Sequence, residues 1–352
     1  MEQAPFELVS DRLVVRLLAR RDIPEFVRYR NIDDIARYQD WELPYTVEMA
    51  EELVANVAEL GGPTLGEWVQ LAIEHDGVLV GDIAVWVDDE GQLASLGYTV
   101  APEHQGHNYA AEATALIVDW LFEVAGVHRI AATLDPRNIA SARVLERTGF
   151  HYIGTARSAA LIRGEWQDDT RFEFTLAAWR AWRRRPVGPP VTVRFVEVTH
   201  DNIHAVGEIE VSHSQRRFVS GVMESIADAA HPPVEDGVAE RPWYRAIEAD
   251  GRLVGFIMLA LPNERHATPV LWRLLVDTWH QRRGIARRAI GLAADMLRDG
   301  GCTELEVGFV DEAGGPESYY TELGFTRTGR VDADGQVWAK ADLSVLCALN
   351  RR

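Results

Sequence analysis

The sequence predicts an α+β fold built twice over, and three observations predict it. First, blocks of the first half recur in the second. Glu74-His-Asp-Gly-Val-Leu-Val-Gly81-Asp-Ile83 matches Glu248-Ala-Asp-Gly-Arg-Leu-Val-Gly255-Phe-Ile257 at an offset of 174 residues. Gln105 to Ala110 matches Gln281 to Ala286 at an offset of 176, and Gly149-Phe150 matches Gly324-Phe325 at 175. Matched blocks in one order at a nearly constant, long offset mean two copies of a domain, not a solenoid. Second, each copy runs strand, helices, antiparallel meander, then strand–helix–strand, the order of helices packed on both faces of a mixed central sheet. Third, in both copies an apolar strand gives way to a short loop that opens an amphipathic helix. A length of 352 residues suits two domains, each able to bury its own core.

Taken in order, residues 8–19 alternate as one opening strand. Ile23 to Tyr38 has helical periodicity, and so does Val47 to Leu60. Strands follow at Trp68–Glu74, Val78–Val87 and Ser95–Val100, with Asp88-Asp-Glu-Gly91 as a turn. Ala113, Leu116, Ile117, Trp120 and Leu121 mark a central helix. Arg129–Leu134 reads as a strand, Ile139–Arg147 as a helix, and Tyr152–Arg157 and Gln167–Thr175 as closing strands. After a basic helix, Ala177 to Arg185, the run Pro186-Val-Gly-Pro-Pro190 breaks the chain. The expected domains are therefore 1–185 and 192–352, joined by a linker at 186–191. The second copy reads as a strand at Thr192–Val198, helices at Asn202–Ile209 and Gln215–Ala230, and strands at Trp243–Glu248, Leu253–Leu261 and Val270–Asp277. Its central helix, a strand at Glu304–Phe309, a helix at Glu317–Leu323 and terminal strands complete it.

Composition narrows the function. Apolar content of 47% with 26% charged residues is that of a soluble globular protein. No apolar run reaches membrane-spanning length, and Met-Glu-Gln-Ala-Pro-Phe-Glu lacks the features of a signal peptide, so a cytoplasmic protein is expected. Cys302 and Cys347 lie far apart and outside any Cys-x-x-Cys pair, which predicts reduced, packed thiols. Residues 1–190 hold 18 basic and 30 acidic groups, leaving 18 and 24 for the rest, and the net charge is −18. Acidity in both halves argues against a nucleic-acid partner and favours the approach of cationic amines. Of the 36 basic residues only Lys340 is lysine. His104-x-x-His107 lacks cysteine or acidic partners at metal spacing, so no metal is expected.

The loop Gln281-Arg-Arg-Gly284-Ile285-Ala286 follows a strand and opens a helix. Such a junction aims unpaired amides and a positive helix end at one spot, which suits a phosphate. Its spacing is neither the P-loop nor the dinucleotide fingerprint. It resembles the acetyl-CoA pyrophosphate loop of the GNAT acetyltransferases, Gln/Arg-x-x-Gly-x-Gly/Ala, and Gln105-Gly106-His107-Asn108-Tyr109-Ala110 resembles it in the first copy. The resemblance implies acetyl-CoA as co-substrate, held by the amides of Arg282 through Ala286, with Arg282 and Arg283 adding charge. It also implies an oxyanion donor at the end of the preceding strand, the amide of Leu275 or Val276, with Val100 its counterpart.

Pro316-Glu-Ser-Tyr-Tyr320-Thr-Glu-Leu-Gly-Phe325 resembles the family's Phe-Tyr-x-x-Leu-Gly-Phe segment, which implies Tyr320 as the acid that protonates the departing thiolate. Gln215 to Asp228, Trp272-Arg-Leu and the lead into Tyr320 resemble the bacterial spermine/spermidine-type enzymes. That likeness makes Glu224 and Asp228, one turn apart on a helix, candidates for holding a cationic substrate. The first copy resembles the RimJ/RimL-type enzymes through Asn138-Ile-Ala-Ser141-Ala-Arg-Val-Leu-Glu-Arg-Thr-Gly149-Phe150 and Arg163-Gly-Glu-Trp-Gln-Asp-Asp169. By that resemblance Asn138 holds the pantetheine and Ser141 bonds the sulfur. Asn108 departs from the family's glycine, and Ser95 from a common glutamate, so the first copy is expected either to work at reduced activity or to serve as a scaffold.

A protonated amine at pH 7 needs a base, at a cost of roughly 4 kcal/mol. Glu248, Asp277, Glu306, Glu224 and Asp228 all remain candidates for it. The leading expectation is direct attack of a polyamine or other small cationic amine on the thioester. An amino-bearing antibiotic, a protein N-terminus and a non-catalytic acyl-CoA sensor are the alternatives. The expected partner is a small-molecule amine, not nucleic acid or membrane, and a homodimer is compatible with the sequence.

Overall fold

The computed structural model describes residues 6–351. The segment Met1–Pro5, on which the signal-peptide reading partly rests, lies outside the described residues. The chain divides after Arg184 into two compact units.

In the first unit β1 (Glu7–Val9) and β2 (Val14–Leu17) precede α1 (Ile23–Arg30), α2 (Asp33–Ala36) and α3 (Val47–Leu60). The meander β3 (Trp68–His75), β4 (Val78–Val87) and β5 (Leu93–Val100) leads into α4 (Tyr109–Trp120). Then come β6 (Arg129–Leu134), α5 (Ile139–Arg147), β7 (His151–Ile162), β8 (Glu165–Thr175) and α6 (Leu176–Arg183). The second unit repeats the scheme with β9 (Val193–Val196), α7 (Ile203–Gly207), α8 (Val222–Ala230) and a small hairpin, β10 (Val234–Glu235) and β11 (Val238–Ala239). It continues through β12 (Arg241–Ala249), β13 (Arg252–Leu261), β14 (Val270–Val276), α9 (Ile285–Asp299), β15 (Glu304–Val310), α10 (Glu317–Leu323), β16 (Thr326–Val331), β17 (Gln336–Asp342) and α11 (Leu343–Cys347).

The sheet orders make the duplication explicit. The first runs β1-β2-β3-β4-β5-β6-β8-β7, and the second, read from its other edge, β9-β12-β13-β14-β15-β17-β16. Leaving out β1, the two are one topology. In each, only the middle junction is parallel, β5 to β6 and β14 to β15. Apolar side chains alternate to both faces and build a core on each side of each sheet. Ile83, Val85, Ile117 and Phe172 fill one side in the first unit; Phe26, Tyr29, Tyr45 and Val54 fill the other. In the second unit Ile257, Ile290 and Leu305 oppose Val206, Val222, Phe256 and Leu275.

Three expected elements differ. The single opening strand at 8–19 is a hairpin, because Ser10 Oγ accepts the Leu13 amide at 3.0 Å and turns the chain. The helix over Ile23–Tyr38 breaks at Asn31, whose side chain bonds Val27 O and both backbone groups of Tyr45, an Asn competing with the helix backbone. The helix expected from Gln215 starts only at Val222, capped by Gly221, and Arg217 is drawn off to Glu312 and Ala313.

The proline-rich stretch falls in the second unit and is held there. Arg283 Nε donates to Gly188 O at 2.8 Å and Arg288 Nη1 to Pro190 O at 2.7 Å.

Each copy also carries an extra residue in its second meander strand, Val80 in β4 and Val254 in β13, where the register slips by one. The glycine that follows is sterically required. A Cβ on Gly81 would lie 2.3 Å from Thr99 O, and one on Gly255 2.6 Å from Leu275 O. Gly255→Ala should therefore force β13 and β14 apart, at a cost of about 1–3 kcal/mol. Urea unfolding of this variant checks the point; a midpoint equal to that of the unaltered protein would contradict it.

Candidate active site

The two glycine loops share one backbone path with their glycines exchanged. Left-handed residues occur at Gly106 (φ 80) and Asn108 (φ 67) in the first unit, and at Arg282 (φ 59) and Gly284 (φ 77) in the second. Each loop thus fills one left-handed position with glycine and the other with a residue that pays roughly 1–2 kcal/mol, less for Asn108. The conserved path comes from a tether: Gln105 Nε2 donates to Val100 O at 3.1 Å, and Gln281 Nε2 to Val276 O at 3.0 Å. Among the described residues, the amides of 106–110 and of 282–286 donate to no protein acceptor. Those five amides, ending in the first turns of α4 and α9, form in each unit a cradle suited to a diphosphate.

The arginines of the second loop part ways. Arg282 is exposed, while Arg283 is only 5% exposed. The Arg283 guanidinium faces inward, to Gly188 O, His280 Nδ1 at 2.9 Å and Asp250 at 3.6 Å. Its expected charge contribution is therefore corrected: its amide lies in the cradle, but its side chain anchors the loop from behind. In the first loop the exposed His107 takes that position, stacked on Tyr109.

Beside each cradle the parallel strands separate. β5 and β6 pair only over Leu93–Ser95, and β14 and β15 only over Val270–Leu271. A second bulge, at Trp272, lies where β14 leaves β15. The pairing sets which amides face the gap. Asp277 N donates to Val254 O, so in alternation Leu275 and Arg273 bond β13, while Leu274 and Val276 point the other way. The amide of Leu275 is thus spent on the ladder, and that of Val276 faces the gap. Ala101 N to Val80 O sets the same parity in the first unit and turns Val100 toward its gap.

A phenol lies beside each parting of the strands, carried by a helix in the second unit and by a strand in the first. In the second unit Tyr320 of α10 stacks on Phe309 of β15 at 5.8 Å, past the last paired residue, and lies edge-on to Phe325. Burial pushes its pKa up to about 12. Among the described residues its hydroxyl has no hydrogen-bond partner. The matching position of the first unit is Leu145, 1% exposed. There the phenol comes from the strand: Tyr98, which sequence reasoning left unassigned, donates to Ser141 O at 2.9 Å and meets Ser141 Oγ at 3.1 Å. Asn138 Oδ1 caps α5 by accepting the Ser141 amide at 3.1 Å, so one face of that side chain is committed to the helix.

The opposite sheet faces differ as strongly. In the first unit Asp82 is buried and bonded by Tyr29, Gln70 and Arg30. The Arg30 guanidinium sits 4.0 Å from the Phe26 ring centroid, 4.2 Å from that of Trp41 and 4.9 Å from that of Tyr45. An arginine of the chain itself fills this aromatic box. In the second unit Asp228 pairs with Arg273 at 3.3 Å, and Glu224 lies close enough to act on the same guanidinium. Of the other base candidates, Glu248 is clamped by Arg194 and held below the usual carboxylate range, and Glu306 pairs with Arg330. Asp277 caps the turn at Trp279, and burial raises its pKa. Among the described residues no three His, Cys, Asp or Glu side chains gather as a metal site, and no helix is long and apolar enough to cross a membrane.

Comparison with known proteins agrees with this geometry. Residues 12–151 match the model of an acetyltransferase (GNAT) domain, and residues 211–325 that of the acetyltransferase (GNAT) family. The chain is 40% identical over 95 residues to the probable N-acetyltransferase YjcK of Bacillus subtilis, which is 26% of this chain and about half (52%) of that relative. It is 32% identical over 88 residues to the ribosomal protein uS5-alanine N-acetyltransferase of Escherichia coli, 25% of this chain and 45% of the relative. Among solved structures, Mycobacterium smegmatis RimJ with CoA-disulfide is 24% identical, over 51% of this chain and 96% of that one, with a TM-score of 0.44. The spermidine N-acetyltransferase of Vibrio cholerae, with CoA and spermine, is 22% identical over 49% and 99%, with a TM-score of 0.43.

The loop geometry makes a direct prediction. Gly284→Ala places a side chain at φ 77, and the strain of about 1–2 kcal/mol should weaken coenzyme A binding to the second unit roughly 5- to 30-fold. Calorimetric titration checks it, and unchanged affinity would show that the free loop of the variant keeps this path instead of relaxing from it.

Proposed function

Both halves of the chain belong to the GNAT acetyltransferases, and from that premise we propose that the second unit carries the chemistry, acetylating a primary amine of a small cationic acceptor. The observation that carries this reading is the Tyr320 hydroxyl, unpartnered beside the gap into which Val276 turns its amide. In this reading the diphosphate of acetyl-CoA rests on the amides of 282–286. The amine nitrogen attacks the thioester carbonyl, and Val276 N–H stabilises the negative oxygen, an interaction worth roughly 3 kcal/mol. As the carbon–sulfur bond breaks, coenzyme A leaves as a thiolate that accepts a hydrogen bond from the Tyr320 hydroxyl, and the proton shed by the attacking nitrogen passes to solvent water. With its pKa near 12 against roughly 8.5 for a thiol, full proton transfer is uphill by about 5 kcal/mol. The phenol is therefore chiefly a hydrogen-bond donor to the departing sulfur, whereas a phenol at its ordinary value of about 10 would be a closer match as an acid. Glu224 and Asp228 give the acceptor side its negative charge, and polyamines are the first class to test.

The first unit is read as a coenzyme A-binding module weaker in turnover. Its phenol is engaged with Ser141, a leucine replaces the acid of the second unit, and its buried carboxylate is neutralised from within by Arg30.

Two outcomes test this reading. Tyr320→Phe should cost about 10²-fold in kcat with coenzyme A affinity retained, measured by thiol release from acetyl-CoA across polyamines, aminoglycosides and peptides. A full rate in the variant would remove Tyr320 from the chemistry, and no thiol release with any amine would favour a sensor. Because burial pushes the Tyr320 pKa up to about 12, kcat should also show no alkaline decline from it up to about pH 10; a decline centred near 9 would give the role to another group.

A further inference from the structure

Arg273 is a residue that a purely cationic acceptor does not explain. It lies on β14 one residue past the Trp272 bulge, and pairs with Met258 of β13, which pairs in turn with Tyr244 of β12. Directly paired residues share a sheet face. Arg273 therefore projects from the side that carries Phe256 and Leu275 and is covered by α8, the side assigned above to the amine. Its side chain is 22% exposed.

Its five donors are unevenly served. Nη1 donates to Trp272 O at 3.0 Å, and Nη2 to Asp228 at a long 3.3 Å. The buried Nε–H has no acceptor. A buried donor left unmade is expensive, and a guanidinium on this face also cancels one of the two carboxylates that α8 supplies. Glu224 and Asp228 against Arg273 leave one net negative charge. A polyamine, protonated at every nitrogen, offers only donors: it satisfies Glu224 and brings the partly exposed Arg273 guanidinium no acceptor. A ligand with an oxygen acceptor satisfies both.

We propose that Arg273 is a specificity-determining residue of the second unit, receiving a carboxylate or carbonyl oxygen of the acceptor, so that the preferred substrate is a cationic amine that also bears such an oxygen. This rests on the reading that the second unit acetylates an amine on this face. Arg273 lies three residues from Val276, about 10 Å along the strand. Oxygen and reacting nitrogen are therefore separated by a chain of several bonds, as in a diamino acid acylated at its far amine.

Lysine and cadaverine differ only by the carboxylate, and they form the test. With the full-length protein and acetyl-CoA, kcat/KM for lysine should exceed that for cadaverine by about tenfold or more. In Arg273→Gln that ratio should fall to near one, whatever the absolute rates, and Arg273→Lys should restore part of it. Lysine amide, which keeps a carbonyl without the charge, should fall between the two. Equal turnover of lysine and cadaverine, or a ratio unmoved by Arg273→Gln in a protein that still melts cooperatively, overturns the proposal. Calorimetric binding of both amines to the protein with coenzyme A reads recognition apart from chemistry. Preferential lysine binding without thiol release would retain Arg273 and reject the catalytic reading, and equal binding would reject Arg273.

Discussion

The parting of two parallel strands is the constraint on which the rest of the second unit depends. β14 and β15 share only Val270–Leu271 and their partners before they diverge. Strand amides that lose their neighbour must otherwise be satisfied, because a buried unpaired N–H is costly. A sheet tolerates such a gap only where something else completes the bonding. In this fold the gap is lined by the turned amides of Leu274 and Val276, by a loop of unspent amides, and by the Tyr320 ring of α10. The Trp272 bulge at its mouth fixes where it starts.

The duplication shows which parts of this arrangement are structural and which are adjustable. Both units keep the glutamine tether to the strand end, the two left-handed loop positions and the glycine that lets the second and third meander strands approach. These set backbone geometry and tolerate little change. Side chains around the gap have instead diverged. The phenol enters from the strand in one unit and from the helix in the other. The sheet face away from α4 is sealed by an arginine in an aromatic box in the first unit, where desolvated cation–π contacts add up to about 2 kcal/mol each, while the face away from α9 in the second is a half-open mixture of charges.

Arg283 illustrates how a loop acquires rigidity without a ligand. Its inward guanidinium links the cradle to Gly188, and Arg288 on the next turn of α9 holds Pro190. The proline-rich stretch that punctuates the sequence is thereby part of the second unit's scaffold. His280, whose pKa is lowered by burial and by the adjacent guanidinium, accepts from Arg283 and completes the anchor.

What the sequence by itself determined was the duplication, the α+β order and the loop–helix junctions, because these are encoded locally: repeated blocks, alternation of period two or 3.6, and glycine at tight turns. It also singled out Tyr320 and the two acidic residues of α8 by resemblance to a family. Element ends were less legible where a side chain overrides periodicity, as Asn31 does in cutting a helix and Ser10 in folding a strand into a hairpin. Only the tertiary structure decided that Arg283 turns inward while Arg282 turns out, since neighbours in a loop differ only through what they meet. It alone turned Val276 rather than Leu275 toward the gap, because that depends on its register against Gly255 of the partner strand, 21 residues away in sequence. Tyr98 and Arg273 went unassigned for the same reason: their partners, Ser141 and Asp228, lie 43 and 45 residues distant, and nothing local in the chain announces the meeting.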